Sequence, residues 1–176
     1  MSGFRTLGSR TIAEESFLRL DRATVTTPDG AVIKRVVVAH PGAVAVVPII
    51  GEDVILIEQH RVPVGRPLLE IPAGKLDIPG EDLRATAERE LEEEIGFTPG
   101  HLEHLTDLLT TPGFSDECIT IYLATDLAAV PARPAGAEEH HASVIRMSLD
   151  HAVEQVRAGV ITDAKTVAGL LLAAGR

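Results

Sequence analysis

Asp82-Leu83-Arg84-Ala85-Thr86-Ala87-Glu88-Arg89-Glu90-Leu91-Glu92-Glu93-Glu94-Ile95-Gly96 is the stretch on which the fold turns. Leu83, Ala87, Leu91 and Ile95 recur every four residues and predict one apolar stripe on a helix from about Asp82 to Ile95. Gly96 supplies the left-handed stop favoured after a helix. On the other side of that helix Glu90, Glu93 and Glu94 fall three and four residues apart and crowd the last turns. They repel each other, and the helix C-terminus adds its own partial negative charge. At a surface each effect costs only a few tenths to about 1 kcal/mol, so a solvated acidic face is the plain alternative. Four features argue for more than that. Arg89 is placed to pair with Glu93 one turn on, Gly96 ends the helix at once, Gly74 and Glu81 precede it at fixed offsets, and the opposite stripe is cleanly apolar. Hard divalent cations prefer carboxylate and carbonyl oxygens and bridge to phosphates, so they would relieve the crowding.

Outward from this helix the chain reads as strands and turns. Phe17 to Thr27 and Ala31 to Ala39 flank Pro28-Asp29-Gly30 as a hairpin. Ala43 to Ile50 and Val54 to Glu58, around Gly51-Glu52-Asp53, are apolar on successive residues, the mark of central strands covered on both faces. A short extended piece, Leu68 to Ile71, leads into the loop Pro72-Ala73-Gly74. Beyond the helix, strands are expected at Leu102 to Leu109, Thr120 to Ala124 and Val144 to Met147. Loops are expected at 111–117 and 126–143, and helices at Leu149 to Ala158 and Asp163 to Ala174. Strand pairs mixed with helices point to a mixed α/β (α+β) layer structure, and no Gly-rich turn at the first strand-helix junction supports a dinucleotide-binding sheet.

With 176 residues the chain has room for one main core. We divide it into an N-terminal β unit, 1–40, and a main domain, 41–176. The formal charge of -10 excludes nucleic-acid binding through the overall field, which needs clustered Lys and Arg. A phosphorylated ligand would therefore need help from cations. The single cysteine, Cys118, has no disulfide partner and is expected to be a small buried strand residue. The first twenty residues carry no apolar signal segment and no stretch is long enough to span a bilayer, so a cytoplasmic protein without a membrane association is expected.

Gly74, Glu81 and Arg89-Glu90-Leu91-Glu92-Glu93-Glu94-Ile95-Gly96-Phe97 resemble the Nudix motif, a glycine, five residues, a glutamate, seven residues and then R-E-U-x-E-E-x-G-U, with U apolar. This chain departs from it once, with six residues, Lys75 to Gly80, between Gly74 and Glu81. The resemblance implies an α/β/α sandwich around a mixed central sheet. It also implies Mg2+ as the cofactor, with Mn2+ as a substitute, held by Glu90 and Glu94, by Glu93 as a further ligand, and by the Ala73 carbonyl, while Arg89 orients Glu93.

Glu58-Gln59-His60-Arg61-Val62-Pro63, Glu70-Ile71-Pro72-Ala73-Gly74, Pro112-Gly113-Phe114-Ser115-Asp116-Glu117 and Ile161-Thr162-Asp163-Ala164-Lys165-Thr166 look like the ADP-ribose pyrophosphatase branch, in which a proline lies about sixteen residues past the motif's last glycine. That resemblance covers all but the first fifteen or so residues. It implies hydrolysis of ADP-ribose to AMP and ribose 5-phosphate, with Arg61, Glu70, Pro112, Ser115 and Glu117 on the substrate. Arg61 suits phosphate because a guanidinium offers two parallel donors. Glu139, with Glu138 as its substitute, is placed in the loop that supplies the base for water in similar enzymes. The early chain offers only Phe4 and Phe17 as rings for adenine. A homodimer formed through the N-terminal unit is a further implication. Another nucleoside diphosphate sugar as substrate, and a non-catalytic sensor of such sugars, are the competing readings.

Overall fold

Two runs of β-structure are organised separately in the computed structural model, which describes residues 3–78, 80–133 and 139–176. Among those residues no helix is long and apolar enough to cross a membrane. The chain divides into two compact units, Met1–Gly42 with Leu109–Cys118, and Ala43–Leu108 with Ile119–Arg176.

The first unit holds an antiparallel sheet in the order β1 (Arg5–Glu15), β2 (Leu18–Thr26), β3 (Val32–Ala39). The expected hairpin is β2–β3. Its turn is closed by Thr27 N to Ala31 O at 2.9 Å and by Gly30 N to Thr27 O at 3.0 Å, with Gly30 at φ 88°. Strand β1 was not expected. Its polar sequence has no alternation and all its residues are exposed, so only the ladder to β2, interrupted at Thr6/Gly8 and Thr11/Ala13, makes it a strand. Sequence order offers no reason to join Leu109–Cys118 to this unit; hydrogen bonds do. Val38 N donates to Phe114 O at 2.7 Å, Ser115 Oγ donates to Val38 O at 2.9 Å, and His40 N donates to Asp116 Oδ1 at 2.8 Å.

The second unit is a mixed sheet between helices. Among the described residues seven strands run in the order β10 (Ser143–Ser148), β5 (Asp53–Arg61), β4 (Ala43–Ile50), β9 (Cys118–Ala129), β8 (Phe97–Leu109), with β6 (Arg66–Glu70) on β5 and β7 (Ala73–Lys75) on β4. Strand β4 is the hinge of the arrangement. It runs parallel to β9 along 43–48, while its other edge is shared, antiparallel to β7 at 43–45 and to β5 at 49–50. Its side chains alternate between two cores. Val44 and Val46 pack with Ala87, Leu91 and Ile95 of helix α1 (Leu83–Ile95). Ala45 and Val47 pack with Ala152, Val153, Leu170 and Ala173 of helices α2 (Leu149–Arg157) and α3 (Ala164–Ala174). The expected burial on both faces and the α/β/α layering are thus observed.

Other expectations needed correction. Strands β8 and β9 are longer than the apolar runs that revealed them, because main-chain pairing continues after side-chain burial ends. The expected loop at 72–74 contains β7, whose three residues pair with β4 although nothing in Ala-Gly-Lys favours a strand. Cys118 is partly exposed rather than buried, since it starts β9 ahead of the core positions. A short 3-10 turn, Glu139–His141, precedes β10.

Candidate active site

Helix α1 begins at the N-cap Asp82, whose carboxylate accepts from Arg84 N at 3.1 Å, and ends at Gly96 in the left-handed region at φ 71°. No side chain is tolerated there, because a Cβ on Gly96 would come 2.8 Å from Val130 O. The apolar stripe holds α1 on the sheet with Glu90 and Glu94 beside β7. A Cβ added at Gly74 would overlap the Glu90 carboxylate, so glycine is what lets the backbone and that carboxylate share the space. Glu94 Oε2 accepts from Ala73 N at 3.0 Å. Both carboxylates are therefore fixed against the start of one short strand, β7.

Arg89 ties the acidic side together. Its Nη1 lies 2.8 Å from Glu90 Oε1 and 3.0 Å from Glu93 Oε2, while Nε and Nη2 reach Glu81 at 3.3 and 3.2 Å. Burial works to lower its pKa, but the Glu81 hydrogen bond and the charges of Glu90, Glu81 and Glu93 outweigh it and raise the value, so the guanidinium stays charged. The extra residue before Glu81 is absorbed ahead of the helix. Gly80 takes φ 81°, Glu81 N donates to Ile78 O at 3.1 Å, and Glu81 still reaches Arg89. Thr86, fully buried, steadies Glu81 with a hydroxyl donated at 2.9 Å. The expected pairing of Arg89 with Glu93 is present; its bridge to Glu90 was not expected.

Among the described residues no three His, Cys, Asp or Glu side chains stand in a ready metal-binding group. The donor set nevertheless fits a hard divalent cation: carboxylates from one helix face, the facing backbone of β7, and a glycine whose missing side chain admits Glu90. Arg89 balances these charges in part, as a cation would.

Arg61, at the end of β5, spreads Nε and Nη2 across both oxygens of Glu70 at 2.7 and 2.6 Å. Its side chain remains 41% exposed, whereas that of Glu70 is 1% exposed. The hydrogen bond to Glu70, then the charges of Glu70, Asp163 and Glu94, raise the Arg61 pKa against the opposing effect of burial. Arg61 thus lies within the electrostatic reach of Glu94. Burial works to raise the Glu70 carboxyl, but Arg61 and Lys165 outweigh it and hold Glu70 below its ordinary value.

Arg61, Glu70, Ala73, Arg89, Glu90, Glu93 and Glu94 all belong to the second unit, and Pro112, Ser115 and Glu117 to the first. In the first unit Ser115 Oγ binds Val38 O and accepts from Glu117 N at 3.2 Å. The Glu117 carboxylate accepts from the Thr110 hydroxyl and lies 3.5 Å from His40 Nε2. Pro112 is exposed. The Phe17 ring meets His40 edge-on at 5.3 Å. Glu138 lies outside the described residues, as does the side chain of Glu139, whose backbone opens the 3-10 turn. Lys165, Thr86 and Asp163 escaped the sequence reading. Lys165 and Asp163 stood inside a segment quoted for its overall likeness, and only the partners of Thr86 mark it.

The family model of the NUDIX domain matches residues 39–170. The chain is 39% identical to the methanol dehydrogenase activator of Bacillus methanolicus over 164 residues, 93% of this chain and 88% of that protein. It is 38% identical to the ADP-ribose pyrophosphatase of Bacillus subtilis (strain 168) over 168 residues, 92% of this chain and 90% of that one. A crystal structure of an ADP compounds hydrolase is similar with a TM-score of 0.82 at 26% identity, covering 98% of this chain and 92% of its own.

Proposed function

The chain belongs to the Nudix family and is a pyrophosphohydrolase, and from that premise we propose that it cuts the diphosphate of ADP-ribose to give AMP and ribose 5-phosphate. The observation that carries the reading is the fixing of Glu90 against Gly74 and of Glu94 against Ala73 N, which directs two carboxylates to the backbone of β7. The relative that bears the ADP-ribose name is similar along nearly the whole chain rather than in the motif alone.

Nudix hydrolases use divalent metals. Here Glu90, Glu94 and the Ala73 carbonyl, with Glu93 as a further ligand, would hold Mg2+, or Mn2+ in its place. The bound cation would supply neutralisation of the diphosphate and a lowered pKa for water. Arg89 keeps Glu93 and Glu90 oriented through its fork. Arg61 meets a phosphate with the part of its guanidinium that Glu70 leaves open. Glu139, or Glu138 in its place, accepts the proton of the attacking water. Pro112, Ser115 and Glu117 are assigned to substrate contact by resemblance. A homodimer through the first unit is part of the proposal, supported by exposed Leu7 and Ile12 on the long strand β1; light scattering that gives the mass of one chain would remove it.

The test is a product-resolved assay with Mg2+ on ADP-ribose, ADP-glucose, GDP-mannose and diadenosine polyphosphates. Highest kcat/KM on ADP-ribose, with AMP and ribose 5-phosphate as products, is expected. Preference for another compound overturns the substrate, and binding without turnover by the metal-saturated protein identifies a sensor. In the same assay Glu94→Gln should lose turnover by orders of magnitude while its unfolding transition is kept.

A further inference from the structure

The first turn of α3 is fastened to the segment Glu70-Ile71, at the end of β6 and ahead of β7, by groups that no step above uses. Asp163 caps the helix, accepting from Thr166 N at 3.0 Å and from Thr166 Oγ1 at 2.6 Å. Thr166 Oγ1 in turn accepts from Ile71 N at 2.9 Å. Lys165, buried, reaches back to the Glu70 carboxylate and also lies 3.0 Å from Asp163 Oδ2. A buried lysine is costly unless paired, so its placement demands an account. Helix packing alone would be served by an apolar side chain.

The account lies in charge. Glu70 and Asp163 carry two negative charges, and Arg61 and Lys165 carry two positive ones. With Lys165 present, Glu70 is shared by two cations, and Arg61 keeps positive potential on its exposed side. Without Lys165 that sharing ends, and Glu70 would neutralise Arg61 alone. We propose that Lys165 is a positioning residue for the diphosphate: through Glu70 it sets both the orientation of the Arg61 guanidinium and the positive potential that Arg61 offers to a phosphate. This rests on the reading of Arg61 as a phosphate contact.

The consequence is a loss of substrate affinity rather than of turnover. The part of the Arg61 charge that is left open when Glu70 is shared with Lys165 is worth on the order of tenfold in affinity for a phosphate. Lys165→Met should raise KM for ADP-ribose and the inhibition constant of ADP by about tenfold, with kcat at saturation little changed. Lys165→Arg should restore both constants. A lysine that only supports the fold would lower the active fraction, and so the apparent kcat, with both constants unmoved.

The decisive measurement is a double-mutant cycle of Glu70→Gln and Lys165→Met, read as KM and as ADP inhibition, with Arg61→Met measured alongside. The double variant removes one charge of each sign, which keeps its comparison with Glu70→Gln readable if Lys165→Met alone fails to fold. Because Lys165 acts through Glu70, the double variant should match Glu70→Gln in both constants. A full additional effect of Lys165→Met in the Glu70→Gln background overturns the proposal. So do wild-type constants for Lys165→Met beside weakened ones for Arg61→Met. Wild-type constants for Arg61→Met itself instead remove the phosphate contact on which the proposal stands, and the two failures are thereby told apart.

Discussion

Gly74→Ala is the smallest change that should disable the site. The added Cβ would overlap the Glu90 carboxylate, and ordinary van der Waals contact requires that carboxylate to withdraw by on the order of 1 Å or more. Glu90 has little freedom to comply. It is buried, its helix is held by Ala87, Leu91 and Ile95, and Arg89 Nη1 stands 2.8 Å from its Oε1. Misplacement of a reacting group by about 1 Å can cost roughly 100-fold in rate, so kcat should fall at least that far. Overpacking costs about 1–3 kcal/mol, which for a chain of this size is a fall of about 2–12 °C in Tm. The assay is ADP-ribose turnover across a Mg2+ titration well below Tm, beside Gly8→Ala, where the new Cβ would meet nothing within 4 Å. The expected result is a large loss of kcat and a weaker metal dependence for Gly74→Ala only. Turnover within a few-fold of wild type, with an unchanged Mg2+ midpoint, would refute the reasoning that Gly74 exists to admit Glu90.

Further outcomes follow from the same geometry. Arg89→Lys keeps the charge but loses the fork that joins Glu81, Glu90 and Glu93, so metal affinity or activity should drop by about 10–100-fold, read in a metal titration. Gly169 lies where a Cβ would stand 2.9 Å from Val47 Cγ2 and 3.0 Å from Ile71 Cδ1; Gly169→Ala should cost about 1–3 kcal/mol in chemical denaturation, and an unchanged midpoint would contradict the close approach of α3 to the sheet. Glu70, held below its ordinary value in the folded chain, contributes stability that is complete above the unfolded carboxylate pKa of about 4.3. That contribution is lost as pH falls through the lower folded value. Melting curves from neutral to acid pH should therefore show a shallower acid loss for Glu70→Gln than for wild type.

Helix α1 was readable in advance because its information is local. A four-residue apolar period, a cap and a terminal glycine lie within one stretch of chain, and the acidic face follows from helical geometry. The central strands were readable for a related reason, since burial on both faces leaves an unbroken apolar run in β4 and β5. Strands β1 and β7 were not, because each is held by pairing with a partner rather than by burial, and neither shows the apolar alternation that marks a strand.

The residues around Arg61 show where the boundary falls. The sequence by itself determined that an arginine follows the second central strand, that a glutamate precedes Pro72-Ala73-Gly74, and that carboxylates gather on α1; that β5 runs on to Arg61 came from its pairing with β6. It could not reveal that Arg61 grips Glu70 with two of its donors, nor that Lys165, some 95 residues farther on, shares the same carboxylate. Those pairings depend on α3 packing across β4 and β6, where Gly169 permits close approach and Thr166 takes the Ile71 N–H. Spacing along a chain encodes which face of a helix or strand a side chain occupies. Which distant charges meet in a low-dielectric interior, and what net potential they leave toward a ligand, is decided only when the layers close.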